Sequence, residues 1–110
     1  MKENQDFTES VYTVNLLGVG GHGSRPDLSN SPILCYGAFI SALMRVPFDV
    51  ADLRVLSAVS GSSANIIPES ATVTLSVLAD DKGKALFEKG LDQTLSSVCK
   101  IYRCKYKILK

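Results

Sequence analysis

Apolar and polar residues along this chain change period several times, and each change marks an element. Residues 8 to 19, "TESVYTVNLLGV", alternate Val11, Thr13, Asn15 and Leu17 with Tyr12, Val14 and Leu16. Both faces carry apolar residues, which predicts a central strand. A glycine-rich stretch follows, and then Ser31 and Pro32 supply an N-cap and first-turn pair for a helix. Apolar residues at Tyr36, Phe39, Ile40, Leu43 and Met44 predict that helix over Ile33 to Val46, with Pro47 stopping it. "LRVLSAVSG" (53 to 61) reads as a second strand, "SSANIIPE" as a turn, and "SATVTLSVLAD" (70 to 80) as a third strand. In this third strand Ala71, Val73, Leu75 and Val77 alternate with Thr72, Thr74 and Ser76, so one face is buried and the other wet. From Asp80 to Tyr102 the positions Phe87, Leu91, Leu95, Val98 and Tyr102 predict a second amphipathic helix despite Gly83 and Gly90. "CKYKIL" closes the chain as a short strand with Cys104, Tyr106 and Ile108 on one side and lysines on the other.

The resulting order is β-α-β-β-α-β. It predicts an α+β, ferredoxin-like domain: a four-stranded antiparallel sheet with both helices on one face. A chain of 110 residues has room for one such domain and one core. The second strand then falls at a sheet edge beside the first helix, and an apolar edge such as "VLSAV" invites pairing with a second copy of itself.

Composition narrows the function classes. Hydrophobic residues make up 45% and charged residues 21%, with no apolar run long enough to span a membrane. The formal net charge is +1, and basic residues are scattered apart from the C-terminal cluster of Lys100, Arg103, Lys105, Lys107 and Lys110. Neither a nucleic-acid footprint nor an aromatic stacking platform emerges. No charged-then-apolar leader opens the chain, and the three cysteines, Cys35, Cys99 and Cys104, lack C-x-x-C spacing. These features predict free thiols in a reducing, cytoplasmic setting.

Candidate chemistry concentrates in "GVGGHGSRPD", residues 18 to 27, which holds the single histidine, His22. Gly18, Gly20 and Gly23 match G-x-G-x-x-G, but a dinucleotide site needs a helix to start within the glycines, and here it starts about eight residues late. The glycines equally suit a plain irregular turn. Two features favour a functional loop over that turn: glycines beside an imidazole let backbone and ring approach a ligand closely, and the connection is longer than a small domain requires. Asn65 in "ANIIPE" offers a second polar group on a rigid bend, although asparagine is also an ordinary turn residue.

Taken together, "GGHGSRPD…SP", the helix after it and "ANIIPE" with a strand behind it resemble the dimerisation (lid) domain of metallopeptidase family twenty. The likeness is strongest to its amidohydrolase branch of aminoacylase-like hydrolases, and it covers nearly the whole chain. The resemblance implies a homodimer through the second-strand edge and first helix, and a parent enzyme that hydrolyses N-acyl amino acids or peptides. It also implies two zinc ions on a separate catalytic domain absent from these residues. One histidine cannot supply a dinuclear site, so no metal ligands are expected in this chain and it is expected to be inactive alone. Carried over by position, His22 matches the histidine that stabilises the oxyanion in the other subunit's site. Asn65 matches the asparagine that bonds substrate, and Gly20, Gly21 and Gly23 shape the approach. Relatives carry a carboxylate-binding arginine thirteen residues after that asparagine; Leu78 stands there, leaving Arg25 as the candidate substitute or a substrate without that carboxylate. The rival reading is a free-standing ferredoxin-like module that dimerises and binds a small ligand in its glycine loop.

Overall fold

The computed structural model describes residues 7–18, 32–59 and 70–110 in full, and 21–22, 60 and 66–67 as backbone. Eight elements follow in order: β1 (Thr8–Leu17), β2 (Gly21–His22), α1 (Pro32–Leu43), β3 (Asp52–Ser60), β4 (Ile66–Ile67), β5 (Ser70–Ala79), α2 (Asp81–Tyr102) and β6 (Lys105–Leu109). The main sheet has the order β3-β5-β1-β6 with every pair antiparallel. This is the ferredoxin-like arrangement, with β1 inside the sheet and β3 at an edge.

One sheet face is covered by both helices. Tyr12, Val14 and Leu16 of β1 and Ala71, Val73, Leu75, Val77 and Ala79 of β5 are buried against Cys35, Phe39 and Leu43 of α1 and Phe87, Leu91 and Leu95 of α2. The period of two in the strands and of three to four in α2 therefore meet in a single core. On the opposite face, Thr72 donates to Asn15 (3.0 Å) and Ser76 to Glu9 (2.5 Å).

The end of α1 differs from the sequence expectation, since regular helix stops at Leu43 and not Val46. Arg45 and Val46 make i-to-i−3 hydrogen bonds to Ala42 and Leu43 (both 3.2 Å), tightening the last turn. Val46 precedes Pro47, whose ring disfavours helical backbone at the residue before it. The Ser31 cap lies outside the described residues. α2 begins where Asp80 accepts a hydrogen bond from the Gly83 amide at 2.7 Å, and ends with Arg103 in the left-handed conformation (φ 57°).

Two glycines inside α2 have a packing cause. A Cβ on Gly83 would stand 2.7 Å from the Asp49 carbonyl oxygen, and one on Gly90 would stand 2.4 Å from Phe48 Cε1. The helix thus gives up some propensity so that the segment entering β3 can lie directly on it.

Tyr12 donates to Glu88 at 2.8 Å, and Lys110 pairs with the same carboxylate at 3.0 Å. Burial, then the bond to Glu88, pushes the Tyr12 phenol up to about 12. Tyr106, bonded to Asp92 at 2.6 Å, also rises to about 12, from that bond first and burial second. Burial holds all three thiols above their ordinary value of 9.0. In the unfolded chain these groups ionise at lower pH than in the folded one, so stability is full below about pH 9 and falls as pH rises toward 12. The unfolding midpoint should drop across that window, and Tyr12→Phe should lessen the drop between pH 10 and 12. Identical profiles for the two proteins would count against the Tyr12 assignment.

Candidate functional site

Leu17 at the end of β1 pairs with Ser70 at the start of β5, and Ser60 at the end of β3 pairs with Ala71. Both glycine-bearing connections therefore leave the same end of the sheet. There they meet: Gly21 pairs with Ile67 and His22 with Ile66, forming a two-stranded antiparallel ribbon. The predicted loop histidine thus sits on a short strand, not on irregular backbone. Cross-strand Cα atoms in such a pair are about 5 Å apart, so the His22 backbone is fixed beside the segment that Asn65 precedes in sequence. Gly20, Gly23, Arg25 and Asn65 lie outside the described residues.

Leu78 falls elsewhere. It sits between Glu9 and Asp52 at the far end of β5 from Ser70. Eight steps of extended chain separate these positions by about 26 Å, so a small ligand beside His22 would not touch Leu78 of the same domain. Asp52 there forms an exposed ion pair with Arg54 at 2.5 Å.

Beside the ribbon end runs an apolar edge. α1 contains no charged residue and exposes Ile33 and Leu34, while β3 exposes Leu56 and, at 69%, Val59. The pairing of β3 shifts between Val55 and Ser57, making Leu56 the extra residue of a bulge. A cavity of about 150 Å³ opens between α1 and β3, lined by Ile33, Tyr36, Ala58, Val59 and Ala71. A helix that is apolar on its outer side as well as its inner one calls for a second covering surface.

The sequence predicts the edge position of β3 but not the ribbon, the bulge or the cavity. The paired isoleucines before Pro68 are a hint of the ribbon. Among the described residues no group of three or more His, Cys, Asp or Glu side chains is placed to hold a metal ion, and no helix is long and apolar enough to cross a membrane.

These features define a ferredoxin-like α+β domain with an uncovered apolar edge and a histidine-bearing ribbon at one end. A family model for the peptidase dimerisation domain matches residues 11–93, and the chain belongs to that family. The resemblance to the lid of metallopeptidase family twenty is thereby borne out. Hippurate hydrolase of Campylobacter jejuni is 29% identical over 106 residues, covering 90% of this chain and 28% of its own. N-acetyldiaminopimelate deacetylase of Bacillus subtilis is 26% identical over 107 residues, with the same two coverages. The chain therefore spans little more than a quarter of these relatives. Among solved structures, an aminobenzoyl-glutamate utilization protein from Klebsiella pneumoniae superposes with a TM-score of 0.82 at 16% identity, over 93% of this chain and 27% of that one. A tripeptidase from Staphylococcus aureus superposes with a TM-score of 0.81 at 16% identity, over 94% and 28%. At such identities these two establish the fold alone.

Proposed function

We propose that this chain is the dimerisation and lid domain of a two-zinc amidohydrolase or peptidase acting on N-acyl amino acids or peptides. In this reading the zinc ions and the general base belong to a catalytic domain outside these residues. The chain itself supplies the subunit contact and one electrostatic group, His22. The observation that carries the reading is the uncharged helix α1 beside the exposed edge β3, with an apolar cavity between them.

Two β3 edges joined antiparallel about a two-fold axis would extend the sheet across both subunits and set the α1 helices side by side. In that arrangement the Ser60 end of each β3 lies toward the partner's half of the assembly. The His22 ribbon leaves from that end, and the family resemblance implies that it reaches over the partner's catalytic domain and not its own. An imidazole N–H there would donate to the oxyanion that forms as the amide carbonyl is attacked, in a closed site where such a bond counts for much more than in water. Asn65 would bond the substrate next to it, the Gly20, Gly21 and Gly23 backbone would allow close approach, and Arg25 is the group on this ribbon's connection suited to a substrate carboxylate.

The edge is testable separately from the chemistry. Val59→Lys places a charge on the apolar edge near its Ser60 end without disturbing the monomer core, and it should weaken the dimer about 100-fold or more by sedimentation. Leu86→Lys, at a half-exposed leucine on α2, should leave assembly unchanged. A Val59→Lys protein as dimeric as the unsubstituted one would move the interface elsewhere.

A further inference from the structure

We propose that Cys35 and Cys99 are a redox pair that closes to an internal disulfide, tying α1 to α2 through the core. Their Sγ atoms lie in direct contact at 3.6 Å, and both residues are buried. A disulfide needs about 2.05 Å, so the sulfurs must approach by about 1.5 Å. Rotation about χ1 and a slight shift between two packed helices can supply that movement.

The third thiol, Cys104, also interacts with the Cys35 side chain and is held in addition by the end of α2. Cys104 follows the left-handed Arg103, donates its backbone N–H to the Cys99 carbonyl at 2.9 Å, and turns its Sγ onto the Tyr102 carbonyl at 3.6 Å. Cys35 therefore has two candidate partners, and the direct 3.6 Å sulfur contact favours Cys99. Pairing Cys35 with Cys99 would join the first turn of α1 to the last turn of α2.

With a peroxide as oxidant the chemistry balances in two steps. One thiol, as its thiolate, attacks a peroxide oxygen; the O–O bond breaks, giving a sulfenic acid and one water. The second thiol attacks the sulfenic sulfur; the S–S bond forms, the S–O bond breaks, and the displaced hydroxide takes up the thiol proton as a second water. Two thiols are oxidised by two electrons and the peroxide is reduced to two waters. Because burial keeps both thiols protonated, the reaction waits on transient separation of the two helices and is slow.

The closed bond spans 64 positions of sequence. A cross-link over so long a loop removes many conformations from the unfolded chain, so oxidation should raise the unfolding midpoint by at least about 10 °C. This inference concerns the core and does not depend on the dimer or on His22.

The test is to expose the reduced full chain to hydrogen peroxide, alkylate remaining thiols in denaturant, and map the peptides by mass. The expected result is a loss of about 2 Da per chain, the mass of two hydrogens. It should come with a linked peptide pair holding Cys35 and Cys99, an alkylated Cys104, and the raised midpoint. Cys35→Ala and Cys99→Ala should abolish the mass loss and Cys104→Ala should keep it. Three alkylated thiols, a link that includes Cys104, a link between chains, or a gain of oxygen in place of the loss would each overturn the proposal. The map of the unsubstituted chain decides the matter even where an alanine variant folds poorly.

Discussion

Phe87→Ala should cost about 3–5 kcal/mol of folding stability, lowering the unfolding midpoint by roughly 15–30 °C. Phe87 is fully buried and its ring joins three parts of the domain. It meets Tyr12 of β1 at a centroid distance of 5.4 Å and Phe48, on the approach to β3, edge-on at 4.9 Å. Phe48 in turn lies against Gly90 one turn further along α2. Truncation would therefore empty the point where helix, central strand and crossover segment meet, and Phe48 and Tyr12 cannot both collapse inward. Leu86→Ala is the matched control: the neighbouring residue is half exposed, and its loss should stay within about 0.5 kcal/mol. Thermal melts by circular dichroism distinguish the two. Equal shifts would mean that the core has been misassigned.

That contrast between adjacent residues is legible in the sequence. The spacing of Phe87, Leu91, Leu95 and Val98 predicts the buried face of α2, and all four are buried. The alternation in β5 likewise predicts its inward set from Ala71 to Val77. Long periodic segments are legible because many positions report the same geometry. The β2–β4 ribbon is not, because two residues per strand carry no period. Only the tertiary meeting of two connections creates it. Nor is the Leu56 bulge, since "VLSAV" reads as continuous strand until β5 imposes its register. Gly83 and Gly90 count against a helix on propensity alone, and their purpose lies in contacts with residues 48 and 49 that the linear pattern does not contain. Of the candidate site, the family resemblance singled out His22 and Asn65. The distance from His22 to Leu78 along β5 became visible only with the sheet.

The second large effect concerns His22 in the complete enzyme of which this domain is proposed to be the lid. Removing one oxyanion donor typically lowers turnover about 10²- to 10³-fold. His22→Ala should do so while leaving metal content and assembly unchanged, because the backbone pairing of His22 with Ile66 does not need the imidazole. Loss of metal from the variant would point instead to a structural role for the ring.

The most direct measurement of the whole account mixes this variant with a second one that lacks the catalytic general base but keeps His22. Random subunit exchange makes about half the dimers mixed, and two-fold symmetry gives each mixed dimer one site with an intact base and a good histidine from its neighbour. If the β3 edges join the subunits and His22 crosses to the partner, activity should return to about a quarter of the wild-type value for independent sites. A mixture shown to have exchanged subunits that remains inactive would contradict it, because a histidine serving its own subunit leaves every site short of one component.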